Sequence, residues 1–409
     1  MSVTTSFPKN QIKVLLLEGI SPTALDVFAT EDFQIEALKT ALAPEELGKR
    51  VRDVHILGIR SKTQVTAEVL AGAKRLLTLG CFCIGTNQVD TAFANQRGIP
   101  VFNAPFSNTR SVAELMIAEI VGLARQLGDR SREVHAGRWR KVALGCFEIR
   151  GKVLGIVGYG HIGRQLGVLA EAMGMRVLFF DRTAKLPMGN NVEAGSLEEV
   201  LAQADFVSLH VPETPQTREM IGAAELARMK QGSYLLNASR GTVVVIPALA
   251  DALRSGHLAG AAVDVYPEEP ATNGEGFMTP LQGLPNVLLT PHVGGSTEEA
   301  QAAIGREVAV SLTKFVNAGT TTSAVNFPVI EPPVNPGTHR ILNVHRNVPG
   351  VLRDINRIVS DMQANIQAQI LATDANIGYL LMDLDQDVSV DVQKAIASLE
   401  TSIRTRILF

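Results

Sequence analysis

The chain has 409 residues, 46% hydrophobic and 19% charged, with a formal charge of −3. One hydrophobic core stops growing at roughly 250–300 residues, so this length implies two or three domains. The balanced, scattered charge gives no nucleic-acid or membrane-surface footprint, and three cysteines, two of them at 81 and 83, indicate neither a disulfide framework nor a metal site.

From Ile12 to about Pro105, short apolar runs (Val14–Leu17, His55–Ile59, Leu76–Leu79) alternate with helix-like segments such as Pro44–Val51 and Asp90–Arg97. That rhythm predicts βα units around a parallel sheet. The run Ile12–Leu17 is too short for a secretory signal and no stretch has the roughly 18 apolar residues of a membrane span, so a cytoplasmic location is expected. Ser111-Val-Ala-Glu114 reads as a capping box opening a long helix through Leu115, Ile117, Ile120 and Leu123.

A second series of apolar strands follows at Lys152–Val157, Arg176–Phe180, Phe206–Leu209, Tyr234–Asn237, Gly260–Val265 and Val287–Thr290, with helices between most of them. Ser296 then starts an apolar-periodic helix through Ile304, Val308 and Leu312 that returns to the first lobe. Four prolines and one glycine in Phe327–Thr338 read as a linker, with Pro336-Gly337 a candidate hinge. Beyond it the pattern is strand (Ile341–His345), helix (Gly350–Met362), strands Ile366–Ala372 and Gly378–Asp383, helix (Val390–Leu399) and strand (Thr405–Leu408), a split βαββαβ order. The fold class is therefore α/β, with two Rossmann-like doubly wound parallel-sheet domains and a small C-terminal βαββαβ domain. The expected boundaries are 1–108 with 296–330, 109–295, a linker at 331–338, and 339–409.

Gly158-Tyr-Gly160-His161-Ile162-Gly163 follows an apolar strand and opens a helix. In that context the glycines permit a tight turn and close approach of a pyrophosphate to the helix N-terminus. Asp181, eighteen residues past Gly163, ends the next strand where a carboxylate accepts from ribose hydroxyls, which predicts NAD; Arg182 beside it is the one residue favouring a 2′-phosphate.

Three later strands end in polar residues: Ala238-Ser239-Arg240-Gly241, Asp264-Val-Tyr-Pro-Glu268-Glu269-Pro270, and Pro291-His292-Val293-Gly294-Gly295. Oxidising a 2-hydroxy acid needs a grip on its carboxylate, a base for the hydroxyl proton, and a partner that sets the base's pKa. Arg240, His292 and Glu269 supply these; taken singly, each also has the plain reading of a turn or surface residue, as Glu268 does. These segments, over nearly all of residues 10–330, resemble the D-isomer-specific 2-hydroxyacid dehydrogenase family. The resemblance assigns catalysis to Arg240, Glu269 and His292, and cofactor contacts to Gly158, Gly160, His161, Ile162, Gly163, Asp181, Ala238, Ser239, Arg240, Asp264, His292, Val293, Gly294 and Gly295. One departure is Val245, where relatives carry aspartate.

In the first lobe, Gly58-Ile-Arg60-Ser61-Lys-Thr63 follows a strand, and Asn103-Ala-Pro-Phe-Ser-Asn108-Thr-Arg110 lies at the lobe junction. A phosphorylated substrate needs cations and donors away from the reacting carbon, which Arg60, Ser61 and Asn108 offer; Lys39, Lys62 and Lys141 are weaker candidates. Arg60 and Arg240 divide carboxylate and phosphate between them in an order the sequence leaves open. These segments resemble members of the family that act on 3-phosphoglycerate and carry one C-terminal regulatory domain. That resemblance implies L-serine as effector, an ACT domain holding it through His345, Asn347 and Asn365, a homotetramer, and a side reduction of 2-oxoglutarate. Trp139 is either an interface anchor or a packed aromatic. The rival readings are another D-2-hydroxyacid dehydrogenase and a non-enzymatic NAD-sensing corepressor.

Overall fold

The computed structural model describes residues 7–270, 273–333, 338–384 and 388–408; Pro336-Gly337 lies outside them. Residues 1–107 with 301–409 form one compact unit and 108–300 another.

The first unit opens with strands β1 (Lys13–Leu16), β2 (Gln34–Ala37), β3 (Ile56–Ile59), β4 (Thr78–Cys81) and β5 (Val101–Asn103), paired in parallel in the order β2-β1-β3-β4-β5. β3 and β4 are wholly buried, as expected of strands covered on both faces. Leu15, Leu57, Ile59 and Leu79 pack on one side against helices that include Pro44–Arg50 and Ala67–Gly72. On the other side Val14, Leu16, Ile56 and Phe102 meet Ala24 and Phe28 of helix Pro22–Ala29 and Ile304, Val308, Leu312 and Phe315 of helix Glu298–Ala318. The apolar period read through Ile304, Val308 and Leu312 is thus the buried stripe of that 21-residue helix.

The second unit holds a seven-stranded sheet of β6 (Val153–Val157), β7 (Arg176–Phe180), β8 (Val192–Glu193), β9 (Phe206–Leu209), β10 (Ser233–Asn237), β11 (Leu258–Val263) and β12 (Val287–Leu289). Its order is β12-β11-β10-β9-β6-β7-β8, and every pairing is parallel. The chain reverses direction across the sheet at β6, the switch point at which open α/β sheets bind ligands beyond their carboxyl ends. Helix Thr109–Ala124 packs Val112, Met116, Ile120 and Leu123 on one face. It starts two residues before the expected capping box and its N-cap is Asn108. The box does not form because Ser111 Oγ bonds Thr297 Oγ1 at 2.8 Å and Glu114 pairs with Arg110.

Back in the first unit, β13 (His339–Arg346), β14 (Ile366–Thr373), β15 (Ile377–Leu384) and β16 (Ser402–Ile407) form an antiparallel sheet ordered β14-β15-β13-β16. Ile341, Leu380 and Met382 face helices Val351–Asp361 and Ser389–Ala397. The opposite face, with Leu342, Val344, Tyr379, Leu381 and Leu408, joins the core of Phe102, Phe315 and Phe327. Arg406, Arg340 and Tyr379 reach across to the carbonyls of Val316, Ala318 and Gly319, the C-terminal end of the long helix.

Candidate active site

At the head of β6, Gly158 takes φ +93°, and a Cβ there would lie 2.6 Å from the His210 carbonyl oxygen. A Cβ on Gly163 would lie 2.4 Å from the Gly158 oxygen, so only glycine lets helix His161–Ala172 approach the turn this closely. Gly160, the N-cap of that helix, has nothing within 4 Å of an added Cβ, so its backbone is open on the side from which a pyrophosphate would approach the helix terminus. His161 is exposed and Ile162 half-buried at the first helical turn. Asp181 closes the site at the end of β7: its carboxylate accepts from the Tyr159 amide at 2.9 Å and from the Thr183 amide and hydroxyl.

Several residues that carry no motif of their own build this turn. Tyr159 stacks on Phe179 with centroids 3.7 Å apart, and its hydroxyl donates to Asn191. His210 accepts or donates at Nε2 to Ser208, while its buried Nδ1 has no partner among the described residues; burial pushes its pKa down to about 4, so the ring is neutral.

The catalytic candidates converge at the ends of β10, β11 and β12. His292 Nδ1 lies 2.8 Å and 3.1 Å from the two Glu269 carboxylate oxygens. The hydrogen bond and charge of Glu269 raise the His292 pKa against the opposing effect of burial and of Arg240. Burial pushes the Glu269 carboxyl up, but His292, the Tyr266 amide and Arg240 outweigh it and leave it below its ordinary value. His292 is a non-glycine residue at φ +54°, held there by its amide donating to the Asp264 carbonyl at 2.8 Å. Arg240 is half-buried, with Nη1 bonded to the Ser239 carbonyl at 2.6 Å.

Two residues organise this set from below. Asp264, 1% exposed, accepts from Thr290 Oγ1 at 2.6 Å and from the amides of Val293 and Gly294 at 2.8 Å each, so its carboxylate fixes the loop bearing His292. Asn237, unnoticed in the sequence, accepts from the Ser239 amide and hydroxyl and donates to the Arg240 carbonyl, shaping Ala238–Arg240. Gly295 abuts Asn108: a Cβ would meet the Asn108 side-chain nitrogen Nδ2 at 2.2 Å, and Asn108 itself is buried. Val245 is the N-cap of helix Ile246–Arg254 and makes no side-chain cap bond.

Arg60 and Ser61 lie in the first unit, on the loop after β3, with Arg60 half-buried and Ser61 exposed. In the C-terminal sheet His345 is 4% exposed, its Nδ1 2.9 Å from Asn343 Oδ1. Asn347 is exposed and donates to the Asp374 carbonyl; Asn365 is exposed just before β14. Among the described residues no group of three or more His, Cys, Asp or Glu could hold a metal, and no helix is long and apolar enough to cross a membrane.

A glycine turn for a dinucleotide beside a carboxylate-backed histidine defines the second unit as a nicotinamide-dependent dehydrogenase. Residues 117–294 match the NAD-binding domain of D-isomer specific 2-hydroxyacid dehydrogenases, and residues 341–404 match the AHAS small subunit-like ACT domain. The chain is 56% identical to the D-3-phosphoglycerate dehydrogenase of Dictyostelium discoideum over the full length of both. It is 52% identical to that of Escherichia coli K12 over 407 residues, 99% of each chain. The crystal structure of TT0316 protein from Thermus thermophilus superposes with a TM-score of 0.68 at 35% identity, covering 74% of this chain and 96% of that one. The chain belongs to the D-3-phosphoglycerate dehydrogenase family of NAD-dependent oxidoreductases.

Proposed function

We propose that the protein oxidises 3-phospho-D-glycerate to 3-phosphohydroxypyruvate, the first step of L-serine synthesis, and that L-serine inhibits it through the ACT domain. The observation that carries the chemistry is the His292–Glu269 pair. Because Nδ1 faces Glu269, Nε2 is left to take the hydroxyl proton at C2 of the substrate, and Glu269 stabilises the imidazolium that forms. Bound NAD would supply the hydride acceptor for the same carbon. Arg240 holds the substrate carboxylate and polarises the developing carbonyl through its fork of donors. Arg60 and Ser61 take the phosphate, with Asn108 the further substrate donor. Asp181 holds the adenosine ribose, and the 238–240 and 292–295 segments hold the nicotinamide half.

The effector reading is supported by the ACT match and by the exposed Asn347 two positions after His345; Asn365, exposed just before β14, lies at the opposite end of the sheet from His345 in this chain. β14 is an edge strand on which exposed and half-buried residues alternate. Trp139 and Leu144, 83% and 88% exposed, are large apolar residues that a monomer would leave in water. Both features favour a homotetramer paired through two surfaces. A 2-oxoglutarate reductase side activity and a cytoplasmic location complete the reading. The test is NADH oxidation with 3-phosphohydroxypyruvate, hydroxypyruvate and 2-oxoglutarate, each with and without millimolar L-serine. Fast turnover of the phosphorylated acid, suppressed by serine, is expected; no turnover of any 2-oxo acid would overturn the enzyme reading, and indifference to serine the regulatory one.

A further inference from the structure

The apolar strand β1 runs into Leu17, then into two successive residues in the left-handed region, Glu18 at φ +63° and Gly19 at φ +63°. Glycine adopts this readily, whereas glutamate there is strained by about 1 kcal/mol or more. The turn is fastened by the Glu18 amide donating to the Thr40 carbonyl at 3.2 Å and the Gly19 amide to the Leu38 carbonyl at 3.0 Å. This conformation turns the Glu18 side chain inward, where the residue is only 9% exposed.

Its carboxylate meets the loop that follows β3. Oε1 accepts from the Arg60 amide at 3.1 Å and the Thr63 amide at 2.9 Å, and Oε2 accepts from the Lys62 amide at 3.0 Å. From another side Gln88 Nε2 donates to the Arg60 carbonyl at 2.6 Å and to the Gly85 carbonyl at 3.2 Å. The backbone of residues 60–63 is thereby held by two side chains from elsewhere in the unit. The charge arrangement matters as much. A carboxylate beside an arginine ordinarily pairs with it, but this one is saturated by three peptide N–H groups, and among the described residues the Arg60 guanidinium reaches only the Glu18 carbonyl, at 3.5 Å. The cation and the Ser61 hydroxyl stay available for an external anion, while the loop carrying them is rigid.

We propose that Glu18, seconded by Gln88, is the positioning residue for substrate-anion recognition: it presets the 60–63 backbone so that Arg60 and Ser61 meet the phosphate of the substrate. This rests on the reading that Arg60 and Ser61 bind that phosphate. Charge-assisted bonds to a backbone are strong, and a displacement of about 1 Å in a binding group can cost up to a hundredfold in rate.

The experiment compares kcat/KM for 3-phosphohydroxypyruvate with that for hydroxypyruvate in the full-length enzyme. The variants are E18Q, Q88M, R60A and the double variant E18Q/R60A. E18Q keeps the size of the side chain but turns a donor toward an amide. It is expected to raise the KM for the phosphorylated acid on the order of tenfold, with kcat, the NADH KM and the activity on hydroxypyruvate little changed. In the R60A background the same substitution should no longer alter the ratio. If R60A itself leaves the phosphate preference intact, the phosphate-site reading falls. If R60A abolishes the preference but E18Q retains it, or E18Q depresses both substrates alike, the positioning role falls. Should E18Q not fold, Q88M reads the same ratio with a smaller loss, and an unchanged ratio there overturns the proposal.

Discussion

A Cβ on Gly241 would sit 1.9 Å from the carbonyl carbon of Tyr266 and 2.0 Å from its oxygen. Gly241 directly follows Arg240, and the Tyr266 amide donates to Glu269. This one backbone contact therefore brings the arginine-bearing and glutamate-bearing loops to their working separation.

Gly241→Ala should accordingly separate the two loops. No flexible side chain can yield, because both clashing atoms are backbone, so kcat/KM is expected to fall by about a hundredfold or more, with a lowered melting temperature. A variant within twofold of wild type, measured as NADH oxidation, would show that the loops shift without consequence.

Glu269→Gln removes the charge that raises the His292 pKa. The direction differs between the two reactions. Alcohol oxidation needs neutral His292, so its acid limb should move to lower pH in the variant. Carbonyl reduction needs the protonated ring, so its alkaline limb should move down as well, and activity at pH 8 should drop more than at pH 6. Limbs that stay where they are in both directions would remove Glu269 from this role.

Asp264→Asn leaves the size unchanged but offers a carboxamide donor to a pair of loop amides that need an acceptor. Leaving a buried amide unpaired costs about 1–3 kcal/mol, and if that appears in the barrier, kcat falls by roughly ten- to a hundredfold. Hydrogen exchange of the Val293 and Gly294 amides should accelerate in parallel; unchanged protection would contradict the clamp.

Glu119 is 5% exposed on helix Thr109–Ala124, and neither carboxylate oxygen has a hydrogen-bond partner among the described residues. Burial, with the Asp264 charge nearby, pushes its pKa up to about 8. The folded form holds this proton more tightly than the unfolded chain, so stability is highest below the ordinary carboxylate pKa and declines as pH rises toward 8. Each step of one in pH across that window, where only the folded form keeps the proton, costs about 1.4 kcal/mol. Glu119→Gln should flatten that decline: melting temperatures at pH 6 and pH 9 should converge in the variant. Equal pH dependence in both proteins would show Glu119 to be ionised throughout.

Val245 occupies an N-cap without a side-chain acceptor. Val245→Asp should supply one and complement the helix dipole, stabilising the fold by about 1 kcal/mol with little effect on turnover. A lower melting temperature would mean that the valine packing outweighs the cap.

The buried strands were legible because wholly covered parallel strands read as unbroken apolar runs, and the split order of the C-terminal domain showed in its alternating periods. β2 escaped notice because its Gln34–Ala37 stretch is largely exposed and lacks such a run. The start of helix Thr109–Ala124 was misplaced because Ser111 pairs with Thr297, a partner distant in sequence that no spacing rule reveals, while Glu114 is taken by its i,i+4 neighbour Arg110. In the site, Arg240, Glu269 and His292 stand out as polar residues at strand ends. Asn237, Gln88 and His210 do not: Asn237 acts on its close neighbours Ser239 and Arg240, His210 bonds the Ser208 hydroxyl from a buried position, and Gln88 reaches the Arg60 carbonyl, distant in sequence. Glu18 did leave a signal, a lone acid followed by glycine at the end of an apolar run.

The C-terminal sheet buries Leu342, Val344 and Tyr379 in the same core as Phe102, Phe315 and Phe327. Amputating the last seventy-odd residues would therefore strip a wall from the neighbouring lobe and leave oily side chains facing water. An ACT module built this way is not a detachable accessory. Its loss by gene truncation would be punished first as misfolding, and a descendant lacking it would have to repaint that exposed surface.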